Sequence, residues 1–502
     1  MLSDFKSLFR QSIIYALAPI LTKLMGFVLL PLFNKTFLPQ GMGVVALLDA
    51  TLQIATVVIG FCLYSGFFRF YWDKEVQGHQ KSLFYTITVF QIFLAIVIYI
   101  IAFFNLTSIS NLIFNKSQYG WYLHIVLISA LLQVIMYMPS TLMRLQENPR
   151  LYVSANAVQL LITLLSTLYF ILYLKTGIEG IYYGQIAGCV AYLIAVFSYT
   201  LRNMTFTFER KLLVEVIKFC FPIFLSAVAI LVLNITDKFF LKSDLSGLGV
   251  YNQGYKLANT LNMFIVTSIN FAIQPMIYKK MNESDNTRFY AKLMTYEAYV
   301  TMFFGLAMMV FGLEISKLLS GGVVEFYDAW QIMPYIIYAV VFGMMKDMAV
   351  TGLNIVKRTK SIMFIVIIIA LLNIVFNTLL IPYMGSHGAA LAKMISTLLF
   401  FVFILIASQK AYYIPYEYSR LAQLLIVAGL LFGVSVFVNT WNPAWRIIIK
   451  TFIICIFPFI LYVTRFYTPM EVQVIKSGWY KWKNPEMFSE NFKNLLKGNK
   501  NN

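Results

Sequence analysis

Apolar runs of about 20 residues recur along the whole chain, and each is long enough to cross a hydrocarbon layer about 30 Å thick. No water reaches the backbone inside such a layer, so each run must satisfy its own hydrogen bonds as a helix or join a closed barrel. The alternating ten-residue pattern of a barrel is absent, which leaves helices. Composition agrees: 60% of the 502 residues are hydrophobic and 12% charged, where a soluble domain is about a quarter charged. The expected fold is an all-α polytopic membrane protein. Its fourteen helices are read near 11–33, 44–67, 83–104, 121–142, 152–174, 180–200, 214–240, 248–275, 290–313, 330–353, 361–381, 387–408, 420–438 and 446–465.

The net charge of +18 would suit nucleic acid if it formed a patch, but it lies mostly in loops and tail, where it sets topology. With a cytoplasmic amino terminus, and with residues at span ends counted with the adjoining loop, 26 Lys/Arg fall on the inner side, 7 on the outer side and 6 within spans, accounting for all 39. Both termini are therefore expected in the cytoplasm. The segment "MLSDFKSLFRQS" places Leu2, Phe5, Leu8 and Phe9 on one face beside Lys6 and Arg10, the pattern of an interfacial helix leading into the first span. The four cysteines, Cys62, Cys189, Cys220 and Cys455, show no metal-ligand spacing and read as small buried residues. The histidines His79, His124 and His387 are scattered, no GxxxxGK[ST] or GxGxxG occurs, and no metal or cofactor is expected.

The chain repeats itself. "APILTKLMGFVLLPLFNKTFL" from Ala18 resembles "FPIFLSAVAILVLNITDKFFL" from Phe221, offset 203; "GMGVV" at Gly41 matches "GLGVY" at Gly247, offset 206; and Arg150, Gly177 and Gly180 match Arg358, Gly385 and Gly388, offset 208. Six spans per copy is an even number, so the copies are parallel and related by a pseudo-twofold axis along the membrane normal, a transporter architecture with substrate at the interface. The expected organisation is an N-lobe over 1–212, a C-lobe over 213–410, and two extra helices with a basic, membrane-surface tail over 411–502.

Polar residues inside the spans are arranged, not scattered. Asp49, Gln53, Thr56, Gly60 and Tyr64 share one face of the second helix, and Asn252, Lys256, Asn259, Met263, Thr267, Asn270 and Gln274 share the equivalent face of the eighth. A lysine at mid-span costs about 2.5–3.5 kcal/mol on insertion scales, so Lys23, Lys256 and Lys393 are expected in a water-filled cavity between the lobes. Asp49 is the one carboxylate read in the outer half of a span. It is positioned either to pair with Lys256 or to leave the cavity cationic, and a cationic cavity suits an anionic ligand such as phosphate.

The opening "SIIYALAPILTKLMGFVLLPLFNKTFLPQGMGVVALLDA" and its echo "TDKFFLKSDLSGLGVYNQGYKLANTL" resemble the polysaccharide-transporter branch of the multidrug/oligosaccharidyl-lipid/polysaccharide exporter superfamily. The resemblance covers the first ~410 residues, the extent of the two repeats. It implies a flippase of the bacterial cytoplasmic membrane that moves undecaprenyl-diphosphate-linked oligosaccharides by alternating access, coupled to H+ or Na+, alongside membrane lipids and polysaccharide polymerase or assembly partners. It places Lys23 and Lys256 against the headgroup, with Gln53, Asn252, Asn259, Asn270 and Lys393 lining the cavity. Asp49 is the first coupling carboxylate, followed by Glu297 and Asp347. Two other readings compete: a cation or drug exporter of the same superfamily, which would want an acidic or aromatic cavity, and a membrane-embedded polysaccharide-synthesis enzyme, which would want catalytic groups in large outer loops. The outer loops here are short.

Overall fold

In the computed structural model, which describes residues 25–73, 76–281, 283, 285–473 and 476–477, every regular element among the described residues is helical. The N-lobe part of the chain forms α1 (Leu30–Gly60), α2 (Leu63–Phe70), α3 (Gln80–Phe104), α4 (Leu106–Phe114), α5 (Gly120–Leu145), α6 (Pro149–Leu168) and α7 (Glu179–Arg202). The later part forms α8 (Arg210–Phe240), α9 (Leu245–Leu261), α10 (Thr267–Lys279), α11 (Asn286–Val310), α12 (Gly312–Leu319), α13 (Met333–Ile355), α14 (Thr359–Ala411), α15 (Tyr418–Phe437) and α16 (Pro443–Val463). Eleven helices among the described residues are long and apolar enough to cross a bilayer. One of them, Lys360–Ala411, holds two expected spans, because α14 bends at Gly385 (φ 54°, ψ −129°). The eleven cover twelve of the fourteen expected spans. The first expected span lies mostly outside the described residues. The eighth is the polar one, α9 and α10, split by a π-helical turn at Asn262–Val266.

Irregular backbone recurs at the repeat spacing: Gly177 and Gly385, offset by 208, both take positive φ (73° and 54°). The two lobes meet through a reciprocal contact. A Cβ on Gly43 of α1 would overlap the carbonyl oxygen of Leu245, and a Cβ on Gly249 of α9 would overlap the carbonyl oxygen of Pro39. Gly43 with Gly249, and Pro39 with Leu245, are each related by the offset of 206. Two equivalent glycines, each touching the other's equivalent neighbour, are what a pseudo-twofold axis between α1 and α9 requires. Beside this contact, Asn34 donates to Gln253 Oε1 at 2.8 Å and to the Leu319 carbonyl at 2.7 Å, and all its side-chain surface is buried. This is the end of the helices that the charge rule puts outside.

Two compact units are present. One holds α1–α10 and α12–α14; the other holds α11, α15 and α16 with the residues that follow them. In the second unit Tyr299 stacks on Phe457 and Phe466. Arg420 binds Glu417 and Glu471 at 2.8 Å each. Glu471 also accepts from Tyr296 Oη at 2.6 Å and the Thr468 N–H at 2.8 Å. Burial alone would raise the Glu471 carboxyl, but hydrogen bonds from Arg420, Tyr296 and Thr468 outweigh it and hold the pKa down at about 2. Three of the cysteines are buried, as their apolar surroundings suggest, whereas Cys455 on α16 is exposed.

Candidate functional site

The expected polar face of α9 has a limit in its geometry. Asn252, Lys256, Asn259 and Asn262 line one cavity, but Asn270 does not. A π-turn holds an extra residue relative to an α-helix, and one residue is worth about 100° of rotation. The turn at Asn262–Val266 therefore shifts the phase of α10 relative to the stripe on α9, and this cavity takes in only the first half of the ladder read from the sequence.

The cavity has a volume of about 730 Å³ and lies within the first unit, between α1, α8, α9, α13 and α14. It gathers Asp49, Gln53, Asn252, Lys256, Asn259, Asp347 and Lys393 from the expected residues. Lys23 lies outside the described residues. Glu297 is buried on α11 in the second unit and does not line this cavity.

The cavity also contains Lys346, expected as the partner of Asp347, and three groups that the sequence reading did not select: Lys238, Asn234 and Asn262. Lys238 stands near the end of α8, yet it is buried, with its ammonium 5.8 Å from the centroid of the Tyr255 ring. Its neighbour Asp237 is buried too, and accepts from the Lys238 N–H at 2.9 Å and from the Tyr251 hydroxyl. Asp49, itself partly exposed, is therefore joined near the cavity by a buried carboxylate, Asp237. Even so, four lysines and only two carboxylates line the cavity itself, which leaves it cationic.

Each charge is held differently. Lys393 is buried and donates to the Leu233 carbonyl at 2.7 Å and to Asn234 Oδ1 at 2.8 Å, both neutral acceptors. Lys346 sits against Asp347 and over the ring of Phe400. Lys256 approaches Asp49 at 3.5 Å, with 39% and 26% of the two side chains exposed, so the pair is wet and loosely tied. Asp49 also accepts from Tyr182 Oη of α7 at 3.1 Å. Asn252 is fully buried and neither its Nδ2 nor its Oδ1 finds a partner among the described residues. An amide left this way costs about 1–3 kcal/mol, a cost that a ligand or water in the cavity would remove.

Asp49 and Lys256 also border a second cavity of about 340 Å³ on the N-lobe side, lined by Gln133, Gln159, Thr163, Thr167 and Gln185. Gln159, Thr163 and Thr167 are spaced by four along α6, a polar stripe that the sequence reading passed over, whereas Gln133 and Gln185 join it from α5 and α7.

Residues 37–322 match the family model described as "Polysaccharide biosynthesis protein". No curated protein matches the sequence. Among solved structures, the chain is similar to the lipid II flippase MurJ in an inward closed conformation, with a TM-score of 0.72, 15% identity, 91% of this chain and 100% of that one covered. It is also similar to an inward-facing multidrug resistance MATE family transporter of the MOP superfamily, with a TM-score of 0.57, 16% identity, and 82% and 95% covered. A single-residue mutant of the Vibrio cholerae MATE transporter VcmN matches with a TM-score of 0.53, 15% identity, and 81% and 97% covered. The chain is thus a multi-pass membrane protein with a fold that flippases and exporters share.

Proposed function

The chain belongs to the polysaccharide biosynthesis protein family, and from that premise we propose that it is a flippase, not an enzyme, for undecaprenyl-diphosphate-linked oligosaccharide repeat units. It works in the bacterial cytoplasmic membrane, with both termini in the cytoplasm, and supplies surface polysaccharide such as O-antigen, capsule or exopolysaccharide. The observation that carries this reading is the cavity's charge: four lysines against two carboxylates. A cavity of that sign attracts a diphosphate and repels the cations that a drug exporter would carry. Lysine provides point charges without the bidentate fork of arginine, so the headgroup is held by several loose contacts that permit release.

In this reading the lobes over 1–212 and 213–410 rock about the Gly43–Gly249 contact, and the helices over 411–502 are accessory. The diphosphate enters beside Lys256 and Lys23 and draws Lys256 from Asp49. The freed carboxylate takes up H+ or Na+, which couples ion movement to the return step. Gln53, Asn252, Asn259 and Lys393 hold the remaining polar atoms of the headgroup, Asn270 belongs to a later position of the pathway, and Asp347 and Glu297 are secondary coupling candidates. The prenyl tail stays in lipid, and the product passes to a polymerase or assembly partner. The test is the Lys23→Ala/Lys256→Ala double variant in proteoliposomes with a fluorescent diphosphate-linked substrate. Transport falls at least tenfold with the variant still inserted. Transport at the native rate overturns the cationic-cavity reading.

A further inference from the structure

The two cavities that share Asp49 and Lys256 differ in chemistry. The larger holds four lysines; the smaller has Lys256 at its border, and its other polar groups are amides and hydroxyls, Gln133, Gln159, Gln185, Thr163 and Thr167, with Asp49 its one acid, set among apolar residues such as Leu30, Phe33 and Ile181. Gln133 and Gln185 are held through Ser129. Gln133 Nε2 donates to Ser129 Oγ at 3.1 Å, and Ser129 Oγ donates to Gln185 Oε1 at 3.2 Å. Gly184 and Gly188 of α7 let that helix lie directly on Thr167, Thr163 and the Gln159 carbonyl, where a Cβ would overlap them. The arrangement leaves the Gln185 Nε2, the Gln133 Oε1 and the whole Gln159 amide without a partner among the described residues, so the cavity offers both donors and acceptors.

The ligand that matches such a lining is neutral and carries groups that both donate and accept. A metal ion would need oxygen ligands converging at about 2.3–2.6 Å and no amide N–H in its shell. A volume of about 340 Å³ with three amides on three helices is too open and too rich in donors for that. An apolar drug would leave the amides unsatisfied. Sugar hydroxyls, each a donor and an acceptor, satisfy both halves of every amide.

We propose that the N-lobe cavity is the subsite for the sugar next to the diphosphate. The diphosphate lies among the lysines of the larger cavity, and the Lys256–Asp49 pair stands at the boundary between the anionic and neutral parts of one ligand. This rests on the flippase reading above and adds to it the location and chemistry of sugar recognition.

The experiment uses the full chain in lipid nanodiscs and three probes: undecaprenyl diphosphate, N-acetylglucosaminyl-diphospho-undecaprenol and galactosyl-diphospho-undecaprenol. The wild type binds at least one sugar-bearing lipid more tightly than the sugar-free one. Gln159→Leu/Gln185→Leu reduces that advantage roughly tenfold, as expected for two or so lost neutral hydrogen bonds, and leaves undecaprenyl diphosphate binding unchanged, which also shows that the variant is folded. Lys346→Gln/Lys393→Gln weakens all three probes. The proposal is overturned if neither sugar adds affinity in the wild type, if the glutamine variant weakens all three lipids alike, or if it abolishes Na+ dependence of transport while the sugar advantage persists. If the lysine variant leaves undecaprenyl diphosphate binding intact, the diphosphate reading itself fails, whatever the glutamines do.

Discussion

Gly43→Ala should open the outer face. The new Cβ would overlap the Leu245 carbonyl oxygen, backbone that cannot rotate away as a side-chain tip would, so α1 and α9 must separate. Overpacking of this kind costs about 1–3 kcal/mol, and that cost applies only while the two helices are in contact. The gain in helix propensity from Gly to Ala, about 1 kcal/mol, applies to the open and closed states alike and cancels. The closed state therefore loses roughly 5- to 150-fold in population relative to the open one. Because the contact is reciprocal, Gly249→Ala, whose Cβ meets the Pro39 carbonyl, should shift the equilibrium by a similar factor. The assay is labelling of Leu48→Cys, at a fully buried position of α1, by a membrane-impermeant maleimide added outside, in a background without the four native cysteines. Both glycine variants should label faster than their parent. Unchanged labelling, or a strong effect of one glycine and none of the other, would refute the pseudo-twofold gate.

Other expected outcomes follow from the charges. Asp49→Asn leaves thermal stability almost unchanged, because the pair with Lys256 is partly exposed and such pairs are worth about 0–1 kcal/mol; it removes the response of transport to an imposed H+ or Na+ gradient. Lys393→Met loses two hydrogen bonds of a charged donor, about 1.5–3 kcal/mol each, but regains the several kcal/mol spent on desolvating the ammonium. Its melting temperature should therefore move little while binding of a diphosphate lipid weakens; a collapse in melting temperature with normal binding would make Lys393 structural. Glu471 has a folded pKa lowered from 4.5 to about 2, so the stability it contributes is present above pH 4.5 and is lost as pH falls toward 2. Glu471→Gln should speed hydrogen exchange over residues 466–473 at pH 7, with the difference from wild type vanishing near pH 2.

The helical fold and the repeat were legible because both depend on patterns that survive in one dimension: apolar length, alternating loop charge and self-similar spacing. The register of Gln53, Asp49, Asn252, Lys256 and Asn259 on one cavity followed from the same periodicity. Asn270 did not follow, because a π-turn changes the helical phase without changing the hydropathy of the segment. Asp237 and Lys238 stand near the end of α8, where charge usually meets water; packing of α9 through Tyr251 and Tyr255 against them is what buries them, and that is a tertiary fact. Gln159 of the N-lobe cavity sits in a legible stripe with Thr163 and Thr167 on α6, but its meeting with Gln133 of α5 and Gln185 of α7 is made only by the fold. Glu297 shows the converse: its position in a span was visible, but its helix belongs to the unit of α15 and α16.

The most direct test of the central claim offers one set of proteoliposomes two cargoes of opposite charge. An undecaprenyl-diphosphate-linked sugar and a lipophilic cationic dye are supplied under the same ion gradient, with the lysine variants alongside. The cationic cavity predicts that the diphosphate lipid is moved, that neutralising Lys256 and Lys393 slows it, and that the dye is ignored. Movement of the dye without the lipid, or lipid movement indifferent to both lysines, would contradict it.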